Sequence, residues 1–123
     1  MVSIVDKSGK TVAFLYQNMI LDLSQQRVIG LVLGNCLFGV QTGPVGKFFN
    51  DTFRKKNGKI IARLSAETVP LQSPKDAKLM QQAWKILNHV EDHVCWWVEE
   101  KKAWTKQSFT ELLLAEKEVP EEV

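Results

Sequence analysis

The sequence predicts an α+β protein in which a four-fold β-hairpin repeat is followed by one long and one short C-terminal helix. Composition divides the chain, because all seven glycines lie before residue 60 and all four tryptophans lie after residue 80. Charge divides it at the same place. Residues 1–70 carry nine basic and four acidic side chains, whereas residues 71–123 carry seven basic and ten acidic ones. We therefore expect a β domain over residues 1–67, a linker over 68–73 and a helical region over 74–123.

The first half of the chain repeats four times, with a period of 16 or 17 residues. Residues 3–15 set the template, and residues 20–32, 36–48 and 52–64 align with it. Each unit has room for two strands of about five residues and two tight turns, so four hairpins are predicted. Four columns of the alignment each keep one chemical class: Ile4, Leu21, Leu37 and Phe53; Val12, Ile29, Val45 and Ile61; Ala13, Gly30, Gly46 and Ala62; Leu15, Val32, Phe48 and Leu64.

The column of small residues indicates where the hairpins come together. Glycine weakens a strand unless another backbone must approach closely. We therefore expect four hairpins around a common axis, with Ala13, Gly30, Gly46 and Ala62 at the point where they converge. The alternation of side chains also predicts apolar residues on both faces of the strands, so the helical half would have to cover the outer face.

Four short hairpins, each with Gly or Ala after a β-branched residue, resemble the four-fold β-flower domain, a small bacterial module loosely similar in style to MORN repeats. The resemblance covers about Val2 to Glu67. Two repeats depart from the pattern, because Gln25 and Gln26 stand where a turn glycine is expected and Pro44 enters a strand. The resemblance implies a fold and supplies no catalytic residues.

A long helix is predicted over about 74–102. Ser73 would be its N-cap, Pro74 occupies the tolerated first position, and Asp76 is a capping-box acid. Its apolar residues span roughly 160°, which is wider than the ~100° stripe of a helix with one buried side. The surplus predicts a homodimer or small homo-oligomer formed through the helices, or an unknown protein partner. A second capping box, Ser108 to Glu111, predicts a short helix over about 109–117.

Trp96 falls on the polar face of the predicted long helix. We interpret it either as partly covered by a long neighbouring side chain or as an anchor for a partner, because Trp is enriched at interaction hot spots.

A basic hairpin surrounds Asn57-Gly58, with four cations at Arg54, Lys55, Lys56 and Lys59. Such a cluster can contact phosphates, although it has no interleaved aromatic residues and no signature of a nucleic-acid-binding module. Two interpretations remain open. The cluster is either a charged hairpin tip that resists aggregation, or a surface for nucleic acid or another anionic partner.

His89 and His93 are four residues apart, a spacing that places both imidazoles on one helical face, as zinc requires. Asp92 stands where the pattern H-x-x-E-H has Glu, and no histidine follows to serve as a third ligand. A solvated helix face is the competing interpretation. Cys36 and Cys95 are interpreted as reduced thiols, with Cys95 as a small buried hydrophobic residue.

Taken together, these patterns favour a non-enzymatic interaction or structural module that oligomerises through its helical region. No catalytic residues, metal or cofactor are expected. The chain shows no signal peptide and no apolar run of ~18 residues, so a cytoplasmic protein without a membrane span is predicted. The alternatives are a binder of nucleic acid or an anionic surface through residues 54–59, and a small metal-dependent enzyme at His89 and His93.

Overall fold

A closed antiparallel β-barrel is the main element of the computed structural model, which describes residues 1–41, 43–70, 76–88 and 98–115. The barrel closes where the last strand pairs antiparallel with the first. Two helices, α1 (Asp76–Leu87) and α2 (Phe109–Leu114), complete the described elements. The strands follow one another around the barrel in chain order: β1 (Val2–Val5), β2 (Thr11–Tyr16), β3 (Met19–Leu21), β4 (Val28–Leu33), β5 (Cys36–Gly39), β6 (Pro44–Phe49), β7 (Thr52–Lys55) and β8 (Ile60–Thr68).

This architecture corrects the predicted fold class. The strands do not form four separate hairpins, because each hairpin also pairs with the next one, through β2–β3, β4–β5 and β6–β7. Closure gives the edge strands the backbone partners that open hairpins would lack. The long helix is also wrong, since α1 ends at Leu87 and residues 98–102 are not helical. The short helix ends at Leu114, not at about residue 117.

The four hairpins share one pairing pattern. The small residue of each hairpin lies opposite a large apolar one, in the pairs Ile4–Ala13, Ile20–Gly30, Leu37–Gly46 and Phe53–Ala62. In every hairpin the register shifts directly after this pair.

The observed register corrects the sequence alignment in the second hairpin. Ile20, rather than Leu21, occupies the position equivalent to Ile4, because the second hairpin has a longer turn. The same correction makes Asp22 equivalent to Asp6, and each accepts a backbone hydrogen bond in its turn. The sequence alignment had kept these two acids in different columns.

Two of the four small residues, Gly30 and Gly46, lie where neighbouring strands approach each other. A Cβ atom added to Gly30 would be 2.8 Å from the carbonyl oxygen of Phe38 and 2.9 Å from Cδ2 of Leu113. A Cβ atom on Gly46 would collide with the carbonyl oxygen of Arg54. The crowding at these two glycines therefore comes mainly from the backbone of the next hairpin, on β5 and β7 respectively.

Apolar side chains form two clusters, one inside the barrel and one outside it. Strands β2 to β5 contribute to both clusters, which confirms that these four strands are apolar on both faces. The inner cluster is Ile4, Ala13, Ile20, Ile29, Val32, Leu37, Val45, Phe53, Ile61 and Ala62 together with Phe109, Leu112 and Leu113 of α2. The outer cluster is Phe14, Met19, Leu21, Val28, Leu31, Cys36 and Phe38 together with Leu79, Ala83 and Ile86 of α1.

Helix α2 closes one end of the barrel interior. Its N-cap is Ser108, whose Oγ accepts a hydrogen bond from the backbone N–H of Glu111, as the capping box predicted. The ring of Phe109 lies 4.9 Å from that of Phe53, between centroids. The carbonyl oxygen of Leu113 accepts a hydrogen bond of 2.9 Å from the N–H of Val40. Helix α2 is therefore part of the barrel core.

Extended chain also replaces part of the predicted helix. Residues 98–105 run beside the β7–β8 hairpin, where the N–H of Ile60 donates to the carbonyl of Ala103 over 2.9 Å and the N–H of Thr105 donates to the carbonyl of Ile60 over 2.8 Å. At the start of the predicted linker, the N–H of Val69 donates to the carbonyl of Met1 over 2.8 Å. Val69 is thus tied to the barrel.

Helix α1 is attached to the barrel by one glutamine as well as by apolar packing. The Oε1 atom of Gln82 accepts a hydrogen bond of 2.8 Å from the N–H of Val28, and its Nε2 atom donates one of 3.0 Å to the carbonyl of Gln26. The side chain therefore satisfies two backbone groups at the start of β4.

Replacing this glutamine tests the attachment. We expect Gln82→Ala to lower the free energy of unfolding by about 1–3 kcal/mol, because the partly buried N–H of Val28 loses its acceptor. Gln81→Ala, the same change at the exposed neighbouring position, should stay within about 0.5 kcal/mol of the wild type. Urea denaturation of both variants provides the measurement, and equal stabilities would contradict the assigned role.

Candidate functional site

At the barrel end opposite α2, three turns between hairpins form a rim. These turns, at residues 17–18, 34–35 and 50–51, join β2 to β3, β4 to β5 and β6 to β7. One hydrogen bond recurs at each of them, from the N–H of Val32 to the carbonyl of Asn18, from Phe48 to Asn35, and from Leu64 to Asp51, with lengths of 2.8, 2.9 and 2.8 Å. Each rim turn is therefore tied by a backbone bond to the second strand of the hairpin that follows it.

The rim turns place backbone in the left-handed region. Gln17, Asn50 and Asp51 have φ angles of 54°, 51° and 58°, and Gly34 has 60°. Asn and Asp adopt this conformation more readily than most side chains, and Gly does so without steric cost. The polar character of the rim therefore follows from the turns that the barrel requires.

A cavity of about 680 Å³ occupies this mouth. Its floor is apolar and is formed by side chains that end the inner cluster, namely Leu15, Val32 and Phe48, with Phe49 beside them. The ring of Phe48 is supported from below, because it stacks on Phe53 with centroids 4.4 Å apart. The rim is polar and consists of Gln17, Asn18, Gly34, Asn35, Asn50 and Asp51. The volume lies within the ~300–1,000 Å³ range of ligand pockets.

Several rim side chains are available to a ligand. In the part of the chain that the structure describes, the side-chain amides of Gln17, Asn18 and Asn35 make no hydrogen bond, and all three residues are exposed. Asn50 differs, because its Nδ2 atom donates to Oε1 of Glu100 over 3.4 Å. Among the described residues lining the cavity, Asp51 is the one with a formal charge. The mouth therefore offers neutral donors and acceptors around an apolar floor.

The sequence pattern predicted only tight turns between the strands and did not mark these residues as a site. A usable signal was present, since Asn18, Asn35 and Asp51 each directly precede the first strand of a repeat. Such residues lie at one end of a hairpin array and point to a shared polar rim.

The basic hairpin is not the exposed cluster that the sequence predicted. Arg54 is 8% exposed and Lys55 3%, whereas Lys56 and Lys59 are half-buried. The Nη1 atom of Arg54 donates to the carbonyl oxygens of Gly58 and Lys101, over 2.7 and 2.5 Å. Its guanidinium therefore holds backbone groups within the protein. This placement corrects the expectation of a charged, solvated hairpin tip.

An acid at the other end of the barrel also has a structural role. Oδ1 of Asp6 accepts hydrogen bonds from Oγ of Ser8 over 2.8 Å and from the N–H groups of Ser8 and Lys10 over 3.0 Å. The bond from the Ser8 hydroxyl, together with these backbone bonds, lowers the pKa of Asp6 below its usual value. The carboxylate is thus held ionised in a turn.

Several predicted site residues, His89, His93, Cys95 and Trp96, lie outside the described residues. The zinc hypothesis and the role of Trp96 therefore stay predictions. Within the described ranges, no group of three or more His, Cys, Asp and Glu residues could hold a metal ion. In those same ranges, no helix has the length and apolar character needed to span a membrane.

Cys36 corrects another prediction. It is buried in the outer cluster and is disulfide-bonded, so it is not a reduced thiol. The cytoplasmic assignment stays a prediction.

The chain matches no protein-family model, and neither a curated protein nor a solved structure shows significant similarity to it. The resemblance to the β-flower family therefore stays a prediction.

Proposed function

We propose that this protein is a non-enzymatic interaction module that associates with a second copy of itself through the outer face of α1. The observation that carries the proposal is the exposure of two large apolar side chains, Trp84 at 60% and Met80 at 45%. They are one helical turn apart and therefore neighbours on the helix surface. The barrel-facing residues Leu79, Ala83 and Ile86 belong to the outer cluster, so the exposed pair lies on a different face.

A second copy fits this surface because an isologous dimer brings the same patch together from both chains. The exposed residues Lys78, Gln81 and Lys85 flank the apolar pair and give the patch a polar rim, as protein interfaces have. Trp is the residue type most often found as an interface hot spot, where its removal costs about 2 kcal/mol or more.

The proposal is tested by measuring the mass in solution over a wide range of concentrations with size-exclusion chromatography and light scattering. The wild type should show about twice the chain mass of 14.0 kDa at high concentration. Trp84→Lys should weaken the dimer by about 30-fold or more, the equivalent of about 2 kcal/mol. Ala103→Lys adds the same charge at an exposed position beside the β7–β8 hairpin, away from α1, and should leave the dimer intact. A wild type that stays monomeric at every concentration refutes the proposal.

A further inference from the structure

We propose that the open mouth of the barrel binds a neutral saccharide. The mouth is the surface formed by Leu15, Val32, Phe48 and Phe49 as floor and by Gln17, Asn18, Gly34, Asn35, Asn50 and Asp51 as rim. This site lies on the barrel and not on α1, so the inference is independent of self-association.

The rim chemistry matches hydroxyl groups. A side-chain amide has both a donating NH₂ and an accepting oxygen, and a sugar hydroxyl likewise donates and accepts. Gln17, Asn18 and Asn35 provide three such amides that are exposed and make no hydrogen bond within the described residues. Asp51 adds a carboxylate that can accept a charge-assisted hydrogen bond from a hydroxyl.

The apolar floor of the mouth matches the apolar face of a sugar ring. The C–H groups of a pyranose ring form an apolar face that packs on an aromatic ring. Phe48 and Phe49 are half-buried, so each presents part of its ring to the cavity. Phe48 is held by its stacking on Phe53, which makes the floor rigid before any ligand arrives. A preformed surface reduces the entropy lost on binding.

Charge and size narrow the ligand class. With one formal charge among the described lining residues, and that charge negative, the mouth does not favour anionic ligands such as phosphates or uronates. An apolar ligand offers no groups that match the amides of the rim, whereas the hydroxyls of a saccharide can bond to them. The cavity of about 680 Å³ is open to solvent and accepts part of a longer chain, so a neutral oligosaccharide fits as well as a single sugar.

The test is an NMR titration of the ¹⁵N-labelled full chain with maltose, cellobiose, lactose and N-acetylglucosamine oligomers, each added separately. At least one of these should shift the amide signals of residues 15–18, 32–35 and 48–51 in a saturable way. Glucuronate and glucose 6-phosphate serve as charged controls and should produce smaller shifts. We expect a Kd of about 1 mM or lower, and a Kd of about 1 mM corresponds to a binding free energy of about −4 kcal/mol.

Variants separate this site from other surfaces. Asn35→Ala should weaken binding of the active sugar about tenfold while leaving the melting temperature unchanged, since its side chain makes no hydrogen bond in the described structure. Asn88→Ala, the same change at an exposed residue outside the mouth, should bind like the wild type. Trp84→Lys should also bind normally, which keeps this result distinct from the dimerisation test. The inference is overturned if none of the neutral sugars shifts the mouth signals, if the charged controls bind more tightly, or if Asn35→Ala binds as well as the wild type.

Discussion

Gly46→Ala is expected to lower the free energy of unfolding by about 3 kcal/mol, at the upper end of the range for overpacked cores. The added methyl group would meet the carbonyl oxygen of Arg54 on the neighbouring strand. A backbone oxygen cannot rotate away as a flexible side chain can. It also belongs to the β6–β7 ladder, in which Gly46 lies opposite Lys55. Relief therefore requires the two strands to separate.

Urea denaturation followed by tryptophan fluorescence measures this effect. Gly34→Ala is the matched control, because Gly34 has a φ of 60° but nothing within 4 Å of an added Cβ. Gly34→Ala therefore tests the effect of the positive φ angle without a steric clash, and it should lower the free energy of unfolding by about 1 kcal/mol. If the two variants were equally stable, the close approach of β6 and β7 would have no energetic importance.

Arg54→Ala should lower the free energy of unfolding by about 3 kcal/mol, because it removes a buried cation that bonds two carbonyl groups. The carbonyl oxygens of Gly58 and Lys101 lose their shared donor, and Phe49 loses the guanidinium 5.8 Å from its ring centroid. Arg54→Lys should recover only part of the loss, since an ammonium lacks the planar fork of the guanidinium.

The control is Arg63→Ala, which removes the same charge from an exposed position on β8 and should change stability by about 0.5 kcal/mol or less. Hydrogen exchange provides a second measurement. The amides of Lys101 and Thr105 donate to the backbone of Gly58 and Ile60 and should exchange faster in Arg54→Ala. Normal stability and unchanged exchange would show that Arg54 is not the attachment point of residues 98–105.

Local patterns in the sequence predicted the positions of the strands and the N-cap of α2, because both depend on residues that are close together in the chain. Alternating apolar residues and turn residues placed the hairpins, and Ser108 with Glu111 placed the start of α2. The alignment failed by one residue at Leu21, because a longer turn in the second hairpin changes the period there. Barrel closure could not be read from any repeat, since the pairing of β8 with β1 depends on residues far apart in sequence.

The structure of residues 98–105 was also hard to predict, because it depends on contacts with residues far away in the sequence. Residues 98–102 have the composition of a helix end, yet they are not helical. Lys101 bonds to the barrel instead, since its carbonyl accepts from Arg54 and its N–H donates to the carbonyl of Gly58. Gly58, with a φ of 87°, leaves room for the backbone of Glu99 at this contact. The burial of Arg54 and Lys55 could not be predicted either, since the sequence does not show which distant segment packs against a charged side chain. The barrel mouth was partly visible in the recurring Asn and Asp of the turns.

The position of α2 in the barrel has a consequence for how a nascent chain folds. All eight strands leave the ribosome before residues 109–114, which close one end of their interior. Isolated hairpins form within microseconds, whereas pairing between distant strands is slower. Until α2 emerges, the interior beside Gly30 and Phe53 lacks its cover. We expect chaperones to bind the chain most strongly in this interval, and to release it once Leu113 docks.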